Sequence, residues 1–428
     1  MKRAETLADV IRLFDPRKPL QGEALDSFYI NRPHNPLERM RIYLQGLGLN
    51  NQPVKLLFTG HVGSGKSTEL NKLATHLENQ FFIVNLDVRQ SLNLSDLSYV
   101  DILLGLTTAL FRRATEESVL RQAPAQIATN VWEDIHVFIE HTIFGPVRPP
   151  TPQAEASFSA KVNVLAAEFE AKFSQEASTR QVVREQMEGR VVELVDKLDF
   201  VARQVRDAYR RPVLFFVENT DKPDLDKARD LFVNHTHTLT NFQAAAIYTF
   251  PVGLRYSPDF ALVKDHFDHD FVLPNIKVRE RDGREAEQGT NCLHETVRKR
   301  ADLDLFDVQA LDTMVRASGG LVRTLLIRLT QSAAVYALSQ RHARIMPESA
   351  QAAIAEEEAD YIAALSAEDY DVLAARMADR ELSSDEGVQR LLQSRALMEY
   401  ANGTPWCDVH PIIHDLVQER TGKEPEGE

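Results

Sequence analysis

The chain has 428 residues, which exceeds one typical hydrophobic core and predicts about two to four compact units. Its 43% hydrophobic and 26% charged residues are typical of a globular protein, and no run of about 18 apolar residues could cross a membrane. The net charge of −14 disfavours nonspecific attraction to nucleic acid or to anionic lipid.

Two further features predict a cytoplasmic protein. Charged side chains interrupt the apolar positions of residues 1–16, so this segment lacks the core of a signal peptide. Cys292 and Cys407 are the only cysteines, and they stand far apart without a cluster of metal-ligand residues. Such cysteine usage is typical of a reducing compartment and argues against disulfide or zinc stabilisation.

The first half of the chain predicts an α/β fold. Residues 1–50 form an N-terminal helical segment, in which short helices broken by prolines lead to an amphipathic stretch at 37–47. Strand-like runs then alternate with helical periodicity, which predicts a mostly parallel sheet covered by helices. The predicted strands are residues 54–58, 81–86, 213–217 and 244–250.

A phosphate-binding loop follows the first strand. Residues 60–68 read GHVGSGKST, which is the G-x-x-x-x-G-K-[ST] arrangement. Glycines let backbone N–H groups point at phosphate oxygens, Lys66 reaches the β- and γ-phosphates, and Ser67 offers its hydroxyl to Mg²⁺. The following helix adds a favourable dipole. The residues predicted to contact the nucleotide are Gly60, Gly63, Ser64, Gly65, Lys66, Ser67 and Thr68.

A long interval between the second and third strands predicts an insertion at about 120–205. It contains a proline-rich piece at 146–152 and an alternating stretch at 158–173 that is typical of a hairpin, before a long charged helix at 181–209. The sequence leaves two interpretations open: a surface elaboration without activity, or an element for partner binding or assembly.

The third strand ends in carboxylates. Its continuous apolar run is typical of a buried parallel strand, and Glu218 and Asp221 follow it. We expect this strand to emerge beside the phosphate loop, where one carboxylate holds Mg²⁺ and the other orients the attacking water. Glu218 and Asp221 are the only acids that the sequence places for these tasks.

Helical units complete the chain. A helical lid is predicted with a break at Ser318-Gly319-Gly320, and two helices followed by a hairpin around Asn402-Gly403 are typical of a winged-helix domain. The predicted units are the N-terminal segment 1–50, a P-loop ATPase core at 51–285 that includes the insertion, the lid at 286–364, the winged-helix-like domain at 365–422 and a disordered tail at 423–428.

In their order and spacing, these motifs resemble the AAA+ and STAND branch of P-loop ATPases, particularly bacterial STAND-like ATPases and the origin-recognition type of AAA+ protein. The resemblance covers most of residues 25–420. It also rests on the strand at 246–251, on Ser318-Gly319-Gly320-Leu321-Val322-Arg323, and on the closing pattern Glu399-Tyr400, Trp406 and His410-Pro411.

The resemblance implies roles for four residues around the phosphates. Lys66 and Ser67 bind phosphate and Mg²⁺, and Glu218 occupies the usual metal-coordinating position. Asp221 matches the second acid of the pattern seen in STAND proteins. Catalysis is therefore expected from Lys66, Glu218 and Asp221, with ATP and Mg²⁺ as ligands.

The resemblance also implies roles at the edges of the site. Thr249 would be the sensor 1 residue on its strand, and Arg323 would be the sensor 2 residue that reaches the γ-phosphate from the lid. Tyr29 and Ile30 stand where such proteins pack the adenine ring, with ordinary core packing as the alternative. Because no N-K-x-D guanine signature occurs, ATP and ADP are the expected nucleotides.

Two departures from the family pattern bear on the mechanism. Glu218 is followed by Asn219, and an amide cannot serve as a general base, so hydrolysis is expected to be slow. The helix predicted at 225–242 contains Arg229 but no arginine near its distal end, where a finger acting on a neighbouring subunit is usual. Both departures favour a nucleotide-controlled switch over a processive motor.

Three functions remain in competition. The preferred one is a signalling ATPase that self-associates or controls a partner effector; in bacterial STAND-like proteins such switching often serves defence against phage. The second is a DNA-associated AAA+ initiator or transposition regulator, but residues 365–428 hold 14 acidic and six basic side chains, a net charge of −8 that disfavours DNA reading. The third is a scaffold that binds nucleotide without turnover.

Overall fold

The computed structural model describes residues 1–16, 18–47, 52–116, 177–400 and 403–422. Several predicted features lie outside these residues: the proline-rich piece at 146–152, the hairpin at 158–173, Asn402 and the tail at 423–428. Within the described ranges, no helix combines the length and the apolarity that crossing a membrane requires.

Five parallel strands form one sheet in the order β2-β3-β4-β1-β5. They are β1 (Lys55–Thr59), β2 (Phe82–Asp87), β3 (Val213–Glu218), β4 (Ala245–Phe250) and β5 (His269–Val272). The first four confirm the predicted strands to within one residue at each end. β5 escapes prediction because it begins with His269 and Asp270 and offers no continuous apolar run. β4 separates β3 from β1, so the acids approach the phosphate loop across one intervening strand.

Helices cover both faces of the sheet. Alternate strand residues point to opposite sides, as the pleat requires. On one face, the helices Tyr99–Glu116 and Val191–Tyr209 join the sheet in a large apolar cluster. On the other, the helices Leu37–Leu47 and Lys66–Leu77 pack on β1 and β5. The fold class is therefore α/β, as predicted.

Two long predicted helices are broken. The helix expected at 181–209 is divided into Ala177–Glu188 and Val191–Tyr209, with Gly189 at the junction. The second of these lies mostly within the predicted insertion, yet it buries its apolar side against the sheet. The stretch 225–242 is divided into Leu225–Arg229, a π-helical turn at Asp230–Asn234 and Thr236–Thr240.

The lid, defined as residues 286–364, is helical as predicted. Its helices are Glu287–Arg300, Val308–Ala317, Ile327–Ser339 and Pro347–Ala364, with a π-helical turn at Val322–Leu326. The predicted break at 318–320 lies between Val308–Ala317 and this turn. The N-terminal helix Leu7–Leu13 packs in the lid cluster, whereas Leu37–Leu47 packs on the sheet. The N-terminal segment therefore packs against both the lid and the sheet.

The C-terminal unit, residues 365–422, holds two helices, a hairpin and a final helix. These elements are Ala367–Asp379, Glu386–Ser394, the antiparallel strands β6 (Leu397–Tyr400) and β7 (Trp406–Val409), and His414–Thr421. The helix Glu386–Ser394 packs on the short core helix Val252–Arg255. There Gly253 allows close approach, since a Cβ at this position would lie 2.5 Å from the Gln389 carbonyl oxygen. The assignment as a winged helix stays a prediction.

Candidate functional site

The phosphate loop, residues 60–67, runs from the end of β1 into the helix Lys66–Leu77. Gly63 has a φ of 92°, in the left-handed region that favours glycine. A Cβ at Gly63 would lie 1.7 Å from Thr324 Oγ1, so the lid approaches the loop closely at a position without a side chain. The backbone N–H of Arg323 donates to the Gly63 carbonyl oxygen at 3.1 Å and joins lid and loop directly.

Lys66 lies at the centre of the site. Its Nζ donates to the carbonyl oxygens of Gly60 at 2.6 Å and of His61 at 3.0 Å, and it pairs with Asp221 Oδ2 at 2.9 Å. Both charged side chains are buried. Burial opposes the ionised carboxyl group, but Lys66 and the neighbouring Lys222 outweigh it and hold the pKa of Asp221 below its ordinary value.

Glu218 ends β3 and bonds with the hydroxyl of Ser67. Burial raises the pKa of Glu218 to about 7, and the negative charges of Asp87 and Asp221 add to this effect. A divalent cation would relieve this repulsion, and a hydroxyl beside a carboxylate is an oxygen donor pair that suits Mg²⁺. Ser67 and Glu218 therefore fit the predicted metal site.

The described residues contain no group of three or more His, Cys, Asp or Glu side chains arranged around a metal position. Mg²⁺ in a nucleotide site keeps several waters and takes few protein ligands besides the phosphates. Ser67 and Glu218 would supply those ligands.

The acid loop, residues 218–222, is fixed from two sides. Asn219 adopts a left-handed φ of 67°, and its Nδ2 donates to Asp87 Oδ1 at 2.6 Å. On the other side, Thr249 Oγ1 accepts the backbone N–H of Thr220 at 3.1 Å, and the Thr220 hydroxyl donates to the Thr249 carbonyl oxygen at 2.5 Å. Thr249 is buried and holds the acid loop against β4. Its sensor 1 role stays a prediction.

Arg323 lies in the π-helical turn of the lid, and its Nε donates to the Pro16 carbonyl oxygen at 2.8 Å. Burial lowers the pKa of its guanidinium and the positive charge of Arg89 adds to this, while Glu218 and Asp221 oppose the shift. These interactions place the lid arginine in the electrostatic field of the acid loop. Its sensor 2 role remains a prediction.

A cleft of about 680 Å³, including the space at its mouth, lies beside the loop. Tyr29 and Ile30 line it together with Ser64, Gly65 and Thr68. The structure thus brings the residues predicted for the adenine ring to the predicted phosphate site. The cleft has an apolar side, which suits a nucleobase.

Two arginines in the same cleft were not predicted. Arg32 Nη1 donates to the Ser64 carbonyl oxygen at 2.5 Å, so it braces the phosphate loop. Arg300 is 4% exposed and donates to the Thr296 carbonyl oxygen at 2.8 Å. Burial lowers the pKa of Arg300 to about 10. Neither arginine belongs to a sequence motif that marks a function.

The C-terminal unit contacts both functional loops. His61 Nε2 accepts the backbone N–H of Glu399 at 2.8 Å, and Gln393 Nε2 donates to the Asp221 carbonyl oxygen at 2.9 Å. Burial lowers the pKa of His61 to about 3, so its imidazole is neutral at pH 7 and Nε2 can accept this bond. Tyr256 of the core anchors the same strand, since its hydroxyl donates to Glu399 Oε1 at 2.6 Å.

At the carboxyl end of the parallel sheet, a glycine-rich loop with a lysine follows β1, and a pair of acids follows β3. The strand β4 lies between these two strands. The fold is that of a P-loop NTPase. No family model and no curated protein matches the chain.

Solved structures similar to the chain include three from archaea. Cdc6p from Pyrobaculum aerophilum is 12% identical over 96% of this chain and 97% of its own, with a TM-score of 0.40. The ORC2 protein of Aeropyrum pernix, in ADPNP–ADP complexes, is 11% identical over 96% and 98%, with a TM-score of 0.42. The ORC1 protein of Aeropyrum pernix, in complex with DNA, is 13% identical over 97% and 96%, with a TM-score of 0.40. The fold assignment itself stands on the sheet order and the phosphate loop.

Proposed function

We propose that the chain binds and slowly hydrolyses ATP, and that the bound nucleotide sets the position of the C-terminal unit. One observation carries the proposal: the same C-terminal unit bonds to the phosphate loop through His61 and to the acid loop through Asp221. A nucleotide that moves either loop would strain or release these bonds. The C-terminal unit would then report the state of the site.

Lys66 provides the route for this response. Its Nζ pairs with Asp221, and a γ-phosphate at the loop would compete with that carboxylate for the same ammonium group. As Lys66 turns to the phosphate, its ion pair with the Asp221 carboxylate weakens, and Asp221 is then free to shift. The carbonyl oxygen of Asp221 accepts the hydrogen bond from Gln393, so a shift of Asp221 reaches the C-terminal unit. Triphosphate and diphosphate would therefore favour different positions of the C-terminal unit.

The other residues hold the substrate. Tyr29 and Ile30 would bind the adenine ring, while Ser67 and Glu218 would hold Mg²⁺. When bound, Mg²⁺ neutralises charge on the phosphates and polarises them for attack. Arg323 would contact the γ-phosphate from the lid and couple closure of the lid to the triphosphate.

The proposal also covers what the switch controls. Following the resemblance to STAND ATPases, the switch would control homo-oligomerisation or a partner effector protein in the cytoplasm, with defence against phage as its setting. The acidic C-terminal unit supports a protein-docking role over DNA reading, because duplex DNA attracts basic surfaces.

Particle size and backbone hydrogen exchange, measured with ADP and with a non-hydrolysable ATP analogue, test the switch. We expect exchange at Glu386–Ser394 and β6 to differ between the two nucleotides. Lys66→Ala should abolish the difference, whereas Lys264→Ala, which changes an exposed lysine outside the site, should preserve it. Identical exchange and size in both nucleotides would overturn the switch.

Single-turnover hydrolysis separates the remaining functions. A wild-type hydrolysis rate above that of Lys66→Ala supports the ATPase function. Equal rates in the two proteins, with nucleotide binding intact in the wild type, would favour a scaffold that binds nucleotide without turnover. Tight duplex DNA binding at physiological salt, with a steep dependence on ionic strength, would favour the DNA-associated alternative instead.

A further inference from the structure

Asn219 poses a chemical problem for the proposed ATPase. It follows the metal-binding position, and its amide cannot accept a proton from the attacking water. Neither acid of the acid loop suits this task, since Glu218 bonds with Ser67 at the metal position and Asp221 is only 3% exposed, so water has little access to its carboxylate. A further carboxylate would have to activate the water.

The strand next to β3 in the sheet, β2, supplies such a carboxylate. β2 and β3 are parallel and pair in register, so Asp87, the last residue of β2, stands directly across from Glu218, the last residue of β3. The carboxyl ends of parallel strands are where ligands bind in open α/β sheets. Asp87 is only partly buried, so water can reach its carboxylate.

Asn219 itself holds this carboxylate in place. Its Nδ2 donates to Asp87 Oδ1 at 2.6 Å, and the backbone N–H of Arg89 donates to the same oxygen at 2.9 Å. Both bonds end on Oδ1, and among the described residues no hydrogen bond occupies Oδ2. The left-handed backbone of Asn219, with a φ of 67°, directs the amide towards β2, and asparagine tolerates that conformation better than most residues.

We propose that Asp87 is the proton acceptor for the attacking water and that Asn219 is its positioning residue. The inference rests on the proposed ATPase function. The water oxygen forms a bond to the γ-phosphorus, and the bond from that phosphorus to the bridging oxygen breaks with its electron pair passing to ADP. One water proton passes to Asp87 Oδ2 and is then released to solvent, which leaves ADP, phosphate and the starting carboxylate.

The geometry gives each residue at this edge a separate task. Glu218 stands across from Asp87 and bonds with Ser67, so it serves the metal. Asp87 is also within the electrostatic range of Arg323, which would face the γ-phosphate from the lid. The attacking water would therefore lie between a carboxylate of β2 and an arginine of the lid.

The test compares nucleotide affinity with single-turnover rate in four variants. Asp87→Asn, which is isosteric, should lower the rate by about 100-fold or more while the Kd for a fluorescent ATP analogue changes by less than about threefold. Asp87→Glu should recover part of the rate, because it restores a carboxylate. Asn219→Ala should lower the rate by about 10-fold, since it frees the carboxylate without removing it. Asp207→Asn alters an exposed acid near the end of the helix Val191–Tyr209, which leads into the opposite end of β3, and it should leave the rate unchanged.

The outcomes separate this inference from the proposed function. If the wild type turns over and Asp87→Asn matches it, Asp87 is excluded while the ATPase stands. If Asp87→Asn loses nucleotide affinity and thermal stability together with the rate, and Asp87→Glu recovers none of the rate, Asp87 is a structural residue and the inference fails. If the wild type shows no turnover above Lys66→Ala, the ATPase and the inference fall together.

Discussion

The imidazole Nε2 of His61 lies 2.8 Å from the backbone nitrogen of Glu399 and accepts its hydrogen bond. These two residues are 338 positions apart, one in the phosphate loop and the other in the first strand of the C-terminal hairpin. The bond is buried, so it excludes water from the contact. It gives the phosphate loop a direct connection to the C-terminal unit, which the lid also contacts, since the Tyr400 hydroxyl donates to the Gly319 carbonyl oxygen at 3.3 Å.

His61→Ala should loosen the C-terminal unit. The change leaves the backbone N–H of Glu399 buried without its acceptor, at a cost of about 1–3 kcal/mol. We expect faster hydrogen exchange in β6 and a weaker nucleotide-dependent difference at Glu386–Ser394. His76→Ala, which changes an exposed histidine, is the control. Unchanged exchange in β6 would show that His61 does not hold the hairpin.

Acid should destabilise the fold through two buried histidines. Burial lowers the pKa of both His61 and His410 to about 3. Between pH 6.5 and pH 3 the unfolded chain therefore takes up protons that the folded chain excludes, and stability falls as the pH falls, by about 1.4 kcal/mol per pH unit for each histidine.

Comparison at matched pH isolates this effect from the other titrating groups. His61→Gln and His410→Gln should each be less stable than the wild type at pH 8 and should close that gap as the pH falls to 5. The melting temperature across this range is the measurement. A parallel decline in wild type and variants would contradict the prediction.

Local patterns in the sequence predict much of this structure for a physical reason. The continuous apolar runs of β1 and β3 and the glycines of the phosphate loop act over a few residues, so they can be recognised without the fold. The same holds for the break at 318–320, where two glycines end a helix. Thr249, by contrast, holds the acid loop through Thr220, a contact between β4 and the acid loop that no local pattern encodes.

Asp87 and His61 show most clearly which contacts cannot be predicted from the sequence. Asp87 stands one residue beyond the predicted end of its strand, and its approach to Glu218 depends on β2 pairing with β3 across the long predicted insertion. The sequence therefore offered Glu218 and Asp221 as the only acids for the site, whereas the structure places Asp87 directly across from Glu218. His61 occupies a variable position of the phosphate-loop motif, so its partner Glu399 is visible only in the fold.

Gly63→Ala should prevent the lid from reaching the phosphate loop. The new Cβ would overlap Thr324 Oγ1 and would also strain a backbone with a φ of 92°. We expect lower nucleotide affinity and a lower melting temperature. Gly283→Ala separates the two causes, because Gly283 has a similar φ of 89° but no atom within 4 Å of the new Cβ. If both variants lose nucleotide affinity and melting temperature equally, backbone strain rather than the lid contact is the cause.

Arg323→Ala should reduce the preference for ATP over ADP. The arginine lies within electrostatic range of Glu218 and Asp221, at the point where the lid backbone bonds to Gly63, so its charge would act on the γ-phosphate and not on the diphosphate. A contact to one ionised phosphate is worth about 1.5–3 kcal/mol, which corresponds to a loss of about 10-fold or more in the ratio of the two affinities. Equilibrium binding of ADP and of a non-hydrolysable ATP analogue measures this ratio.

Two comparisons make the result for Arg323 specific. Arg316→Ala removes an exposed lid arginine that pairs with Glu285, and it should leave the ratio unchanged. Arg323→Lys keeps the positive charge but loses the planar donor group, so it should restore part of the preference. A loss that is equal for ATP and ADP would instead assign Arg323 to the general structure of the lid, through its bond to Pro16, and would remove the γ-phosphate contact from the proposed switch.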